Sequence, residues 1–263
     1  MTRVFWCDHC GRGSNFGDQL GPVLLRRYGL DVAWSAPEEA ELISVGSILR
    51  RAPHGWMGTI LGTGLARPGT ANDISRARVL AVRGALTRDE AKLPSSTVLG
   101  DPGILVDELL ETMPPKRRKA VIVPHYLDRK MRWRHPTKAR ANILGPARDL
   151  LDDIASAEVI YTSSLHALIA ADALGVPQVF EPSDKVPGGE FKFHDYVSAF
   201  GEKIRPGVKR LTDRTAMAER QAALRSIFRS LPSLFAAVVA GLLALADQLA
   251  ASGQDLAEAL GLG

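Results

Sequence analysis

A chain of 263 residues, 46% hydrophobic and 24% charged, can bury a sizeable core and suits one large α/β domain or two smaller ones. Its two cysteines, Cys7 and Cys10, are too few for a disulfide framework, and no secretory leader precedes them, so a reducing, cytoplasmic location is expected. The net charge of +4 is local: residues 114–148 hold eleven Lys/Arg against one acid, Asp128, while the rest of the chain carries more acid than base. That asymmetry points to an anionic ligand or surface and not to general stickiness, and no nucleic-acid partner is expected. No apolar run reaches a membrane span, since the longest uncharged stretch, Leu231 to Ala246, is short for one.

In chain order, Arg3 to Cys7 reads as an apolar strand, followed by a polar loop from Asp8 to Gly17. Asp18 is expected to cap a helix from Gln19 to Tyr28. Leu42–Gly46, Thr59–Gly62, Arg78–Val82 and Thr97–Leu99 read as further strands, each running into glycine, with a helix from about Ala85 to Leu93. Strand, glycine turn and helix in repetition is the pattern of a parallel doubly wound sheet. Glu111 to Lys119, with two prolines and four positive charges, reads as a linker. A second α/β set begins with a strand at Ala120–Val123 and continues with a helix over Gly145–Ala157. Phe191–Phe200 is predicted helical, and the tail from Thr212 to Leu260 is helix-rich, interrupted at Pro232.

The most informative stretch is Tyr161 to Phe180. It reads as a strand end, a Ser163 or Ser164 cap, a helix from Leu165 to Leu174, a Gly175–Pro177 stop and the next strand. His166 falls in the first helical turn, at the carboxyl edge of the sheet, where such folds bind ligands and where free N–H groups attract anions. Cys7-Asp-His-Cys10 lacks the second pair a structural zinc site needs, so no metal is expected. None of the glycine turns matches a dinucleotide fingerprint or a P-loop.

Taken in order, Asn15-Phe-Gly-Asp-Gln-Leu-Gly21, Gly62-Thr-Gly64, Val82-Arg-Gly-Ala-Leu-Thr87 and Leu99-Gly-Asp-Pro-Gly103 form the first part of a series. Pro124-His-Tyr126, Ser164-Leu-His166 with its helix through Pro177, and Phe191-Lys-Phe-His-Asp195 complete it. The series resembles the polysaccharide pyruvyl transferase family, in its exopolysaccharide branch, over roughly Val4 to Gly201. The resemblance implies a GT-B-like fold of two Rossmann-type parallel-sheet domains, residues 1–112 on the acceptor side and 120–263 on the donor side, with a helical C-terminal tail. It also implies transfer of pyruvate from phosphoenolpyruvate to a sugar of a polysaccharide or lipid-linked oligosaccharide, forming a cyclic ketal without a further cofactor. Many members carry arginine just before the Leu-His pair, where this chain has Ser164. Two rival activities remain open on the same architecture: a nucleotide-sugar glycosyltransferase and a non-catalytic carbohydrate-binding protein.

The residue types suit that chemistry. A donor bearing carboxylate and phosphate needs cations and N–H donors. Arg83 and Lys192 are the motif cations, with Arg129, Arg132 and Arg134 as looser candidates. Asn15, Gly17, Gly62, Gly64, His125, Ser164 and Leu165 are the remaining expected substrate contacts. His166 is assigned to proton transfer to the methylene carbon, because imidazole titrates near neutral pH. Asp18 and Asp101 are assigned to the acceptor hydroxyl, with Arg83 and Asp101 expected to be exposed. The basic stretch Arg129 to Arg140, with Trp133, is expected to make peripheral contact with an anionic membrane surface at the inner face.

Overall fold

The computed structural model of the chain describes residues 1–7, 15–128, 134–135 and 137–252. Two five-stranded sheets organise it. The first is built from β1 (Thr2–Phe5), β2 (Val32–Trp34), β3 (Leu42–Ile43), β4 (Thr59–Leu61) and β5 (Arg78–Ala81). Its order is β2-β1-β3-β4-β5 and its pairings are parallel. The second contains β6 (Val121–Val123), β7 (Ala139–Arg140), β8 (Ile160–Thr162), β9 (Gln178–Phe180) and β10 (Lys209–Arg210), ordered β7-β6-β8-β9-β10. There β10 runs antiparallel to β9 and the other pairings are parallel. In each sheet the first strand lies between the second and third. The connections after β1 and β3, and after β6 and β8, therefore diverge and leave a crevice at the carboxyl ends.

The α/β class, the two parallel-dominated sheets and the helical tail are as the sequence implies. The boundaries differ in instructive ways. Helix α1 (Phe16–Arg27) is capped by Asn15, whose Oδ1 accepts from Gly17 N at 2.9 Å, so Asp18 is not its cap. Helix α2 spans Ala85–Glu90, and Thr97–Leu99 contributes only a single bridge, Leu99 to Val82. Pro102–Leu109 forms a 3-10 segment where no element was expected. Residues Arg117 and Arg118 of the linker ion-pair with Asp152 and Asp153 of α3 (Ala147–Ala155). Lys116 donates to the carbonyls of Ala155 and Ala157 at 2.9 and 2.7 Å, satisfying oxygens that the helix end leaves free.

Helix α4 (Leu165–Ala173) has no exposed polar face, and residues 167–173 are all buried, Asp172 among them paired with Arg210 at 2.8 Å. A helix without a polar face must sit inside the molecule. It packs on the 3-10 segment, α1 and α3, so one continuous core joins the faces of the two sheets. Burying side chains such as Leu24, Leu105 and Leu168 contributes about 1.5–3 kcal/mol each. Helix α5 (Phe191–Ser198) then crosses back to touch α2.

The last helix, α6 (Arg214–Ser252), runs through Pro232 without interruption, contrary to the expected break. Proline removes one helical hydrogen bond. Around it, Phe228 and Leu231 are fully buried, and the rings of Tyr28 and Phe228 lie 5.1 Å apart. The helix reaches both halves. Arg214 donates to the Asp172 carbonyl at 2.8 Å, near the end of α4, and Gln221 Nε2 donates to Ile104 O at 2.8 Å in the 3-10 segment. By length and composition the stretch Arg214–Gly241 is apolar enough to cross a membrane, which corrects the reading that no such run exists. Only its first part is covered, and Val238, Val239 and Leu243 are exposed.

Candidate functional site

A cavity of about 350 Å³ lies where the carboxyl ends of the two sheets face each other. Cys7 follows β1, and Gly46 and Ser47 follow β3. His125 and Tyr126 follow β6, and Ser164, Leu165 and His166 follow β8. Both crevices that the strand order creates therefore open into one space. Asn15 and Asp18 enter from α1, Arg51 from the turn Leu49–Arg51, and Lys192 from α5. Of the expected site residues, Asn15, Asp18, His125, Ser164, Leu165, His166 and Lys192 are thus brought together.

The amino end of α4 forms one wall. Ser164 occupies the cap position, but its side chain makes no capping hydrogen bond. Its backbone N–H donates instead to Thr162 Oγ1 at 2.9 Å, and the Thr162 hydroxyl is held by Val123 O at 2.7 Å. The first N–H groups of α4 have no acceptor within the helix, so this wall carries partial positive charge.

His166 sits in that first turn against Gly17. A methyl group at Gly17 would overlap the imidazole on its Nδ1 side, so the ring position depends on glycine there. On the other side, Nε2 is buried with no hydrogen-bond partner among the described residues. Burial, then the charges of Arg83 and Lys192, then His125 pull its pKa down to about 3. With this shift His166 is neutral at physiological pH.

The other titratable groups carry the same imprint. Burial and the Arg83 charge bring Lys192 down to about 8. Burial and Lys192 bring His125 down to about 4, against a raising effect of Asp128. Lys192 is 7% exposed and lies 5.6 Å from the Phe193 ring centroid; among the described residues no carboxylate pairs with it. A cavity that disfavours its own cations is one that an anion would relieve.

Several expected contacts are placed elsewhere. Arg83 and Asp101 are fully buried, not exposed, and neither lines the cavity. Arg83 Nε bonds Asp195 Oδ2 at 2.8 Å, Nη1 bonds Ser47 Oγ at 2.6 Å, and Nη2 bonds the Leu65 carbonyl. Its link to the cavity is through Ser47. Asp101 caps the 3-10 segment, accepting from Gly103 N at 2.9 Å, and burial pushes its pKa up to about 6. Gly62 and Gly64 are packing positions. Gly62 (φ 76°) lies against Pro102, and Gly64 leaves room for the Arg83 guanidinium. Asp18 does line the cavity and accepts from the Asn15 amide.

Of the basic segment, Arg129, Lys130, Arg132 and Trp133 lie outside the described residues, as do Asp8, His9 and Cys10 of the cysteine pair. Arg134 is engaged by Asp128 at 3.4 Å and by Glu181 at 3.1 Å, away from the cavity. The sequence reading missed Ser47, Arg51, Tyr126 and the hub role of Asp195. The Phe191–Asp195 motif had flagged the last of these as a position without a role. Among the described residues no group of three His, Cys, Asp or Glu side chains is arranged to hold a metal.

Residues 59–184 match the family model for polysaccharide pyruvyl transferase. That span contains Arg83, His125, Ser164, Leu165 and His166, while Asn15, Gly17, Asp18 and Lys192 lie outside it. The succinoglycan biosynthesis protein ExoV of Rhizobium meliloti (strain 1021) is 29% identical over 219 residues, covering 78% of this chain and 67% of the relative. The uncharacterized protein L143 of Acanthamoeba polyphaga mimivirus is 32% identical over 122 residues, or 41% of each chain. No solved structure matches. With the motif series in order and its residues gathered at one cavity, the chain is similar over residues 59–184 to the polysaccharide pyruvyl transferase family, and over most of its length to a succinoglycan biosynthesis protein.

Proposed function

We propose that the chain transfers pyruvate from phosphoenolpyruvate to a sugar of a polysaccharide or of an oligosaccharide precursor, closing a cyclic ketal. The observation that carries this reading is the convergence of Lys192, the α4 amino end and the unpartnered His166 Nε2 on one cavity. A small polyanion is the ligand such a wall favours. In this reading the arrangement is GT-B-like, with residues 1–112 on the acceptor side and 120–263 on the donor side.

The electrostatics support one order of events. His166 cannot donate a proton while its pKa stands near 3. The carboxylate and phosphate of the donor offset the Lys192, Arg83 and His125 influences, so donor binding draws a proton onto the imidazole. That proton passes to the methylene carbon, and the electron-poor C2 takes a sugar hydroxyl oxygen. Loss of inorganic phosphate by C–O cleavage then lets the second hydroxyl close the ring. One hydroxyl proton restores His166 and the other leaves with phosphate. Asp18, beside the cavity and steadied by Asn15, would relay the second hydroxyl proton on its way to the phosphate.

The deciding experiment incubates the protein with phosphoenolpyruvate and extracted glycan, following phosphate release and a gain in glycan mass equal to pyruvate less water. Thermal stabilisation by nucleotide sugars in place of phosphoenolpyruvate would overturn the reading. A peripheral position at the inner face of a membrane is part of the same proposal, supported by the uncharged stretch 231–246 and its exposed Val238, Val239 and Leu243. A chain ending at Ser233 keeps the buried part of α6 and is expected to lose co-flotation with vesicles; unchanged flotation would count against it.

A further inference from the structure

A second cavity of about 430 Å³ adjoins the first, sharing Cys7, Ser47, Ile48, Arg51, Ala66 and Pro187 with it. Three arginines line it: Arg50, Arg51 and Arg67. Among the described residues none of the three has a carboxylate partner, and no Asp or Glu lines the cavity. That sets them apart from Arg83, Arg134, Arg210 and Arg225, each of which is held by an acid.

The backbone beneath these arginines is fixed. Leu49 is fully buried and its N–H donates to Gly64 O at 3.1 Å. Asn72 Nδ2 donates to the carbonyls of Arg50 and Ala52 at 3.0 and 2.8 Å, clamping the turn from outside. Thr70 Oγ1 donates to Arg67 O at 2.7 Å. The opposite wall comes from the second half, where Gly188 (φ 85°) packs so close to the Ala66 carbonyl that any side chain there would collide. The result is a cationic recess between the two halves, opening beside the donor cavity.

We infer that this recess binds the phosphate groups of a phosphorylated acceptor, a diphosphate ester being the chemistry that fits. Three guanidinium groups with no carboxylate partner among the described residues match two ester phosphates better than one carboxylate, and the planar fork of arginine suits bidentate phosphate contacts. Arg51 borders both cavities, so an acceptor anchored here presents its sugar toward the donor. The inference rests on the donor reading only for what occupies the neighbouring cavity.

The test uses calorimetry with inorganic pyrophosphate, orthophosphate and phosphoenolpyruvate on the wild-type chain and on R50A/R67A, whose two positions border only the second cavity. Pyrophosphate is expected to bind wild-type protein already saturated with phosphoenolpyruvate. In R50A/R67A its affinity falls at least about tenfold, while phosphoenolpyruvate affinity stays within about twofold. Full competition between pyrophosphate and phosphoenolpyruvate, or pyrophosphate binding unaffected by R50A/R67A, overturns the inference. Orthophosphate binding as tightly as pyrophosphate, with the same dependence on Arg50 and Arg67, overturns it too, because the recess would then hold the released product. Loss of phosphoenolpyruvate binding in the wild-type chain, with pyrophosphate binding retained, would fault the donor reading and leave the recess standing.

Discussion

Arg83 and Asp195, 112 residues apart in sequence, meet as an ion pair of 2.8 Å in which both side chains are wholly buried. Asp195 also receives the N–H and the hydroxyl of Thr87, each at 2.7 Å, so a residue of α5 holds the turn after β5 from the other half of the molecule. The donor-binding role expected of Arg83 as a motif cation does not suit a guanidinium this enclosed. Asp195→Ala is expected to destabilise the protein by about 3–5 kcal/mol in urea denaturation, since it strands a buried charge. A change below about 0.5 kcal/mol would show that the pair is structurally idle.

Replacing His166 with Gln is expected to lower turnover by about 10²–10⁴ while the circular dichroism spectrum stays native. A variant that keeps near-normal turnover and only raises the donor KM would make His166 an anion ligand, and the acid would then be His125.

The stability profile with pH separates two buried groups of opposite sign. His166 and His125 titrate near 3 and 4 in the folded chain against the usual 6.5. Below 6.5 the unfolded chain takes up protons that the folded chain refuses, so stability is lost as the pH falls. Asp101 titrates near 6 against the usual 3.8, so between those values the folded chain holds the extra proton and stability falls as the pH rises. Each group contributes at most about 1.4 kcal/mol per pH unit. His166→Gln should therefore flatten the acid limb, whereas Asp101→Asn should gain on the wild type as the pH climbs through 6. Denaturation curves between about pH 4 and 8 check both signs.

Lys192→Met is expected to raise the KM for phosphoenolpyruvate more than it lowers kcat, because a cation on a ground-state anion acts in both states. At pH 8, wild-type binding should draw in roughly half a proton beyond the one taken up by the imidazole, as Lys192 moves from half to full protonation. Titrations of the wild type and Lys192→Met in buffers of different ionisation enthalpy read this difference directly. Equal proton uptake in the two would place the anion away from Lys192.

Gly17→Ala puts a methyl group into the space of the His166 ring. Activity should fall toward that of the His166 variants with less loss of stability than Asp195→Ala causes. Full activity would mean that the ring moves freely.

What the sequence made legible follows from where the chemistry is local. The α4 segment announces itself because its strand end, helix and Gly175–Pro177 stop are contiguous, and with it came His166, Ser164 and Leu165. Glycine turns marked the ends of β3, β4 and β5 but overstated Thr97–Leu99, and Gly62 and Gly64 serve packing against Pro102 and Arg83, which lie far along the chain. Arg83 looked like a ligand because nothing near it in sequence shows the partner that neutralises it. Two-residue strands such as β7 and β10 carry too little alternation to be read, and they exist because a neighbouring strand offers them an edge. Pro232 misled for the same reason: the contacts that sustain the helix there come from Tyr28 and its surroundings.

The long closing helix has a consequence for how the protein is made. During synthesis the first sheet and its 3-10 segment emerge before α4 and before Gln221, Arg225 and Phe228, which cover them. Until then Leu20, Ile104 and Leu105 have no lid, although all are fully buried at the end. The nascent first half is therefore a sticky intermediate whose apolar face waits for the rest of the chain. The cavity shared by the two sheets, drawing on residues from Cys7 to Lys192, can close only after nearly three-quarters of the chain has left the ribosome.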